Sequence, residues 1–164
     1  MHENIAAETN IQQNSINLLS HKNVGYTYLT PDECLKLRDG KLNEVILKDI
    51  LISQLQKING FEYKGNAYTF SPKNIAKAIE ELNVPLNEGL MSANQKISDK
   101  LMLGTSYDEE LIDGVKKSFS LQYIDFKHPE NNVFHITEEF SVNRQMTTEM
   151  EKTRRPDLVV FING

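Results

Sequence analysis

No run of more than five apolar residues occurs in this 164-residue chain, and the longest is Leu158-Val159-Val160-Phe161-Ile162. A helix across a bilayer needs roughly twenty such residues. Met1-His2-Glu3 opens no signal-peptide pattern either, so a cytoplasmic protein with no membrane segment is expected. There is one cysteine, Cys34, which excludes an internal disulfide and agrees with a reducing compartment. It sits in Thr30-Pro31-Asp32-Glu33-Cys34, a helix start with no histidine placed to activate a thiol, and it reads as structural. Basic charge is in deficit: 18 Lys and Arg against 23 Asp and Glu give a net charge of −5. A polycation that coats nucleic acid is therefore excluded, although local clusters remain. Arg144, Lys152, Arg154 and Arg155 gather late in the chain, diluted by Glu149 and Glu151, with Lys116-Lys117 and Lys127-His128 upstream. They fit phosphate contacts and also fit an ordinary solvated loop surface. His21, His128 and His135 have no metal-ligand spacing and read as solvated or capping residues.

What is present is one domain of ordinary size, 39% hydrophobic, helical in its first part (about residues 1–110) and strand-like in its last (about 111–164). A first helix is expected over about Ile5 to Leu19, with Ile11, Leu18 and Leu19 as apolar positions. Glu8 shares its core-facing side if the helix starts early enough. The competing reading makes Thr9 the N-cap of a Thr9-x-x-Gln12 box and leaves Glu8 outside, favourable to the helix dipole. A short strand is expected over Val24 to Leu29. Leu42, Val45, Ile46, Ile50, Leu51, Leu55 and Ile58 then recur at helical spacing until Asn59-Gly60, which reads as a C-cap. Residues 61–70 read as a loop or irregular hairpin. Ser71-Pro72 opens a helix that runs to Val84-Pro85, and another spans about Glu88 to Leu103 and stops at Gly104.

After Asp108-Glu109-Glu110 the texture changes. Phe119, Leu121 and Tyr123 alternate with polar residues, and Asp125 to Asn132 is turn-rich. Phe134, Ile136, Phe140 and Val142 fall on one face, the pattern of a half-exposed strand giving way to a buried one. Glu138-Glu139 are adjacent strand residues, which point to opposite faces and so form no paired site. The closing stretch, Arg154 to Gly164, reads as a strand with proline at its opening, one carboxylate at its mouth and five apolar residues, ending on the hairpin dipeptide Asn163-Gly164. Alternation puts Asp157 with Val159 and Phe161, and Leu158 with Val160 and Ile162. Both faces are apolar, so a central strand covered on each side is expected, with a further strand after Gly164. Asp157 at the edge of such a slot needs a cation, a metal or several donors, and an ion pair with Lys152, Arg154 or Arg155 is the plain alternative.

Arg155-Pro156-Asp157-Leu158-Val159-Val160-Phe161-Ile162-Asn163-Gly164 resembles the R-P-D-hydrophobic-N-G segment at the amino-terminal end of the R (restriction and translocation) subunit of type I restriction enzymes. Tyr123-Ile124-Asp125-Phe126, Pro129-Glu130-Asn131-Asn132, Phe134 and Phe140-Ser141-Val142 resemble a second block of that family, and Gly25-Tyr26 before Tyr28-Leu29 fits more loosely. The resemblance implies an α/β fold: a helix-rich part, then a mixed sheet flanked by helices, as in a PD-(D/E)xK nuclease core, here ending before the E-x-K strand. It implies that Asp157 is a metal-ligand aspartate and that Glu8 is the acidic residue of the first helix beside the site. Arg144, Arg154 and Arg155 are the candidate DNA contacts. In the complete protein it implies Mg²⁺-dependent cleavage of double-stranded DNA, coupled to ATP-driven translocation, with modification and specificity subunits as partners. No G-x-x-x-x-G-K-[ST] phosphate loop occurs in the sequence. The expected reading is thus an amino-terminal piece of a larger protein, inactive alone. The alternative is a catalytically inactive nuclease-like binding module.

Overall fold

The computed structural model describes residues 2–144 and 152–164, with side chains described at 10–85, 87–143 and 153–164. In chain order the elements are α1 (His2–Leu19), β1 (Thr27–Tyr28), α2 (Pro31–Lys36), α3 (Lys48–Ile58), β2 (Gly60–Tyr63), β3 (Asn66–Thr69) and α4 (Pro72–Glu80). They continue with α5 (Leu90–Leu103), β4 (Thr105–Glu110), β5 (Lys116–Leu121), β6 (Phe134–Glu138), β7 (Val142–Arg144), β8 (Lys152–Arg154) and β9 (Leu158–Ile162). Among the described residues this is a mixed α/β protein of five α-helices and small sheets, and no helix is long and apolar enough to cross a membrane. The chain divides into two compact bodies. One comprises residues up to Asp49 with Val133–Ile162 and Gly164; the other comprises Ile50–Asn132 with Asn163.

The first body is built on a three-stranded sheet of order β1-β6-β9, with β1 parallel and β9 antiparallel to the central β6. Helices α1 and α2 lie against β6. Helix α1 starts earlier than the pattern predicts and runs through Thr9, which is therefore not its cap. Its core position is Ile16, while Ile11 and Leu18 are exposed. Helix α2 starts on a capping box: the Thr30 hydroxyl accepts from Glu33 N–H at 3.2 Å, and a Glu33 carboxylate oxygen accepts from Thr30 N–H at 2.8 Å.

The long helix expected from Leu42 is cut short, because residues 42–47 commit their backbone elsewhere. Leu42 C=O accepts from Asn143 N–H, Glu44 C=O accepts from Arg38, and Leu47 N–H donates to Gly164 C=O. Helix α3 begins only at Lys48.

Strand β9 coincides with the predicted run of five apolar residues and begins at Leu158, after the proline and Asp157. Among the described residues it pairs with β6 alone; Phe161 is buried, whereas Val160 is 52% and Ile162 42% exposed. One apolar face, with Val160 and Ile162, is open among the described residues, on the edge where the strand expected after Gly164 would pair. The strand expected to run on from Phe134 to Val142 is also broken. Glu139 takes a φ of +52°, and β7 beyond it pairs with β8 in a separate two-stranded ladder.

In the second body, Asn59-Gly60 does not close α3 as a left-handed cap. Asn59 uses its side-chain amide to bond Leu55 C=O at 3.0 Å, and Gly60 already opens β2. Strands β2 and β3 form a regular hairpin turned by Lys64 and Gly65, both at positive φ, as a type I′ turn requires. Helix α4 starts at Ser71-Pro72 as predicted. Its N-cap is reinforced by the buried Glu109, whose Oε1 accepts from Ser71 N–H, Ser71 Oγ and Asn74 Nδ2 at 2.8–3.0 Å. Strand texture begins at Thr105, ahead of the predicted change, and β4 pairs with β5 in its own sheet rather than leading into the sheet of β6. Gly104 closes α5 at φ +73°, packed against Leu121 C=O where a side chain would collide. The Tyr123 hydroxyl donates to Ala78 C=O at 2.8 Å and seals α4 onto this layer.

Candidate functional site

Because β1 and β6 are parallel and β9 runs against them, the carboxyl ends of the first two and the amino end of β9 share one edge of the first body. The sequence thus delivers Tyr28, Glu138, Glu139 and Asp157 to one place from positions far apart in the chain. The register pairs Glu138 with Leu158, so Glu139 comes next to Asp157. Glu139 N–H donates to Asp157 C=O at 3.1 Å, and Phe140 N–H donates to Pro156 C=O at 3.2 Å. The Asp157 side chain is exposed, and no partner meets it among the described residues.

The arginine two residues before Asp157 in the chain is occupied elsewhere. Arg155 Nε contacts Glu139 Oε2 as an ion pair, without the alignment of a hydrogen bond. The ion pair weighed for Asp157 is accordingly not formed with Arg155. Tyr28 Oη donates to Glu138 Oε1 at 2.7 Å. Burial, and then that carboxylate, push the Tyr28 phenol up to about 12, so it stays protonated as a donor. At Glu139 the φ of +52° leaves extended conformation, and the alternation that separates Glu138 from Glu139 does not apply across that bond. Even so, no three His, Cys, Asp or Glu side chains group as a metal set among the described residues. Asp157 offers one exposed carboxylate, which fits Mg²⁺ because that ion binds few protein carboxylates and keeps several waters or phosphate oxygens.

Glu8 lies within α1, the helix that packs on β6, and its side chain is outside the described residues. The other basic candidates converge. The register of β7 and β8 sets Arg144 opposite Lys152 and Val142 opposite Arg154. Directly opposed residues share a face, as do residues two apart on one strand. Arg144, Lys152 and Arg154 therefore occupy one face of this ladder. The other face carries Asn143 and Thr153, whose hydroxyl bonds Asn143 Oδ1 at 2.7 Å.

Histidine 135 differs from the solvated residue expected. It is half-buried on β6, its Nδ1 has no hydrogen-bond partner, and burial pushes its pKa below the ordinary value. The depressed folded pKa means that stability is fully present above the unfolded value near 6.5 and is lost as pH falls through the folded pKa. Urea titrations at a series of pH values should show this as a decline below pH ~6.5 of at most about 1.4 kcal/mol per pH unit. That component should be missing in His135→Gln.

Sequence reasoning missed a polar clasp in the second body, built on the buried Asn132 and Asn163. Asp125 accepts at Oδ1 from the N–H groups of Lys127 and His128, and at Oδ2 from Asn131. These bonds, led by the one from Asn131, hold its carboxyl below the usual range. Asn132 Oδ1 accepts from Asp125 N–H at 2.9 Å and from Asn163 Nδ2 at 2.8 Å; Asn163 Nδ2 also reaches Tyr123 C=O at 2.9 Å. The usable signal was an aspartate two and three residues before the N–H groups it caps. The two blocks that carry the family resemblance meet in this clasp through Asn163 and Asn132.

A family model described as type I restriction enzyme R protein N terminus matches residues 5–164. Among curated proteins, one from Methanocaldococcus jannaschii, named as the candidate MjaIXP endonuclease subunit of a type I restriction enzyme, is 30% identical over a 159-residue alignment. That alignment covers 79% of this chain and 15% of the relative, so the chain spans only a small part of the relative's length. With Asp157 at the head of β9 and the clasp joining its two characteristic blocks, the chain belongs to the family of type I restriction enzyme R protein N-terminal regions.

Proposed function

We propose that this chain is the nuclease-bearing region of an R subunit, a PD-(D/E)xK-type core in which Asp157 is a Mg²⁺ ligand. The observation that carries the reading is the state of Asp157: exposed at the head of β9, with no cation on it among the described residues, while neighbouring Arg155 is engaged by Glu139. Glu8 on α1 would help to hold the metal or a water. A Glu and a Lys on a strand returning beside β9 would complete the site. Asn163 and Gly164 support that return, with φ of +61° and +96°, the signs needed at the two central positions of a type I′ turn. The outer edge of β9 is unpaired among the described residues, as such a strand would require. Bound Mg²⁺ would supply a water of lowered pKa and charge stabilisation at the phosphodiester.

In the complete protein the activity would be cleavage of double-stranded DNA coupled to ATP-driven translocation in the cytoplasm, in a complex with modification and specificity subunits. The described residues alone hold too few carboxylates for it. The test is plasmid cleavage by the complete complex with ATP and Mg²⁺, carrying Asp157 or Asp157→Ala. Equal cleavage by both would overturn the reading.

The register of the β7–β8 ladder, which sets Arg144, Lys152 and Arg154 at neighbouring positions, supports contact with DNA phosphates by these residues, while Arg155 stays with Glu139. Each phosphate contact adds about 0.9 to the slope of log K against log salt. Replacing all three with Gln in the complete R subunit should make that slope shallower by about 3. Neutralising exposed Lys22, Lys36 and Lys73 instead should leave it unchanged. Equal slopes for the two triple variants would remove the ladder from the interface.

A further inference from the structure

We infer that Arg38 is a positioning residue for Asp157: its guanidinium grips the segment Glu139–Ser141 from one side, and that segment holds the backbone of Pro156 and Asp157 from the other. The inference rests on the reading of Asp157 as a metal ligand.

Arg38 is 4% exposed, yet among the described residues no carboxylate lies within ion-pair distance of it. Its Nε donates to Cys34 C=O at 3.2 Å, and its Nη1 donates to Glu44 C=O and Ser141 C=O at 3.1 Å each. The guanidinium carbon sits 4.0 Å from the centre of the Phe140 ring. A buried cation without a counter-ion is an expensive way to fill space, and an apolar side chain of the same volume would usually serve stability better. A planar fork can instead bind carbonyls from three separate segments at once while stacking on a ring. The segments here are the end of α2, the turns before α3, and the stretch that follows Glu139.

That stretch is the one next to Asp157. Glu139 is a non-glycine residue at φ +52°, a conformation that persists only where the surroundings impose it. Its N–H and that of Phe140 are the donors to Asp157 and Pro156. The Phe140 ring also meets Phe161 edge-on at 5.4 Å between ring centres, and Phe161 lies on β9, the strand that Asp157 immediately precedes. Arg38 thus fixes the platform from which Asp157 projects. A displacement of about 1 Å at a reacting group can cost roughly 10²-fold in rate.

The experiment uses the complete R subunit in its complex and compares Arg38→Met, Arg38→Lys and Asp157→Ala. Arg38→Met is expected to raise the Mg²⁺ concentration for half-maximal cleavage about ten-fold, as loss of a group supporting a metal ligand does. ATP hydrolysis should be unchanged. Arg38→Lys keeps the charge without the fork and should recover part of the shift. The readout independent of activity is hydrogen exchange. Peptides containing the Glu139 and Phe140 amides should exchange faster in Arg38→Met, while those covering Leu29 keep their protection. If Arg38→Met does not fold, Phe140→Leu removes the ring and should move both readouts the same way. Inactive Asp157→Ala beside Arg38 variants with the wild-type Mg²⁺ midpoint and exchange would overturn the positioning role alone. Parallel loss of cleavage and ATP hydrolysis, in proportion to the folded fraction, would also overturn it. Active Asp157→Ala would overturn the underlying site and the positioning role with it.

Discussion

Asp157→Ala in the complete R subunit is expected to reduce Mg²⁺-dependent DNA cleavage by at least about 10²-fold, the scale seen when one preorganised electrostatic group is removed from a reacting centre. Stability should barely move. The carboxylate is exposed and has no hydrogen bond or ion pair among the described residues, and substitutions at such positions usually stay within about 0.5 kcal/mol. ATP hydrolysis and DNA binding should persist, because under the proposed function neither depends on Asp157. This combination separates the metal-ligand role from the ion-pair alternative. An Asp157 that existed to neutralise a cation would lose stability on substitution while cleavage per folded molecule stayed the same. Asp157→Asn sharpens the comparison, since an amide keeps the shape and hydrogen-bonding reach of the carboxylate but is a poor ligand for a hard cation. Cleavage by the Asn variant close to wild type would remove Asp157 from the metal site.

The parts of the structure that were legible in the sequence are those decided within a few residues. Thr30 and Ser71 start their helices where a hydroxyl before a proline predicts, because the cap bond spans three positions. The limits of β9 follow from five consecutive apolar residues. What failed depended on distant partners. Leu42, Val45 and Ile46 keep helical spacing, yet the backbone around them is drawn to Asn143, Arg38 and Gly164, a competition that periodicity does not register. The strand expected from Phe134 through Val142 breaks at Glu139 for the same reason: its continuation, β7, pairs with β8 and not with β9.

The candidate site divides the same way. Asp157 was singled out because a carboxylate in an apolar slot is costly to desolvate, yet its side chain is exposed and that cost does not arise here. Glu138 and Glu139 were separated by strict alternation, and that inference had no means of seeing that Glu139 adopts positive φ without the glycine or asparagine that usually signals it. Arg38 was invisible, since a lone arginine after a short helix looks like solvent-facing charge until the burial of its guanidinium is known.

Asn163→Ala should be among the most destabilising single substitutions in the chain, at about 2–4 kcal/mol by urea denaturation. The side chain is fully buried, and its amide donates at 2.9 Å to Tyr123 C=O and at 2.8 Å to Asn132 Oδ1. Removing it costs the two acceptors unequally. Asn132 Oδ1 keeps Asp125 N–H, whereas no other donor to Tyr123 C=O is found among the described residues. A buried carbonyl left without a donor costs about 1–3 kcal/mol. The rest comes from the backbone: Asn163 has φ +61°, where alanine pays roughly 1–2 kcal/mol and asparagine pays less. Asn163→Gly tells the two contributions apart, because glycine loses the same amide but takes this φ freely, and it should be no worse than alanine despite its more flexible unfolded state. Asn163→Asp should be the worst of the three, since it turns a carboxylate toward two oxygens that accept hydrogen bonds. If alanine instead costs less than about 1 kcal/mol, the clasp does not hold the second body together, and turn geometry alone explains an asparagine before Gly164.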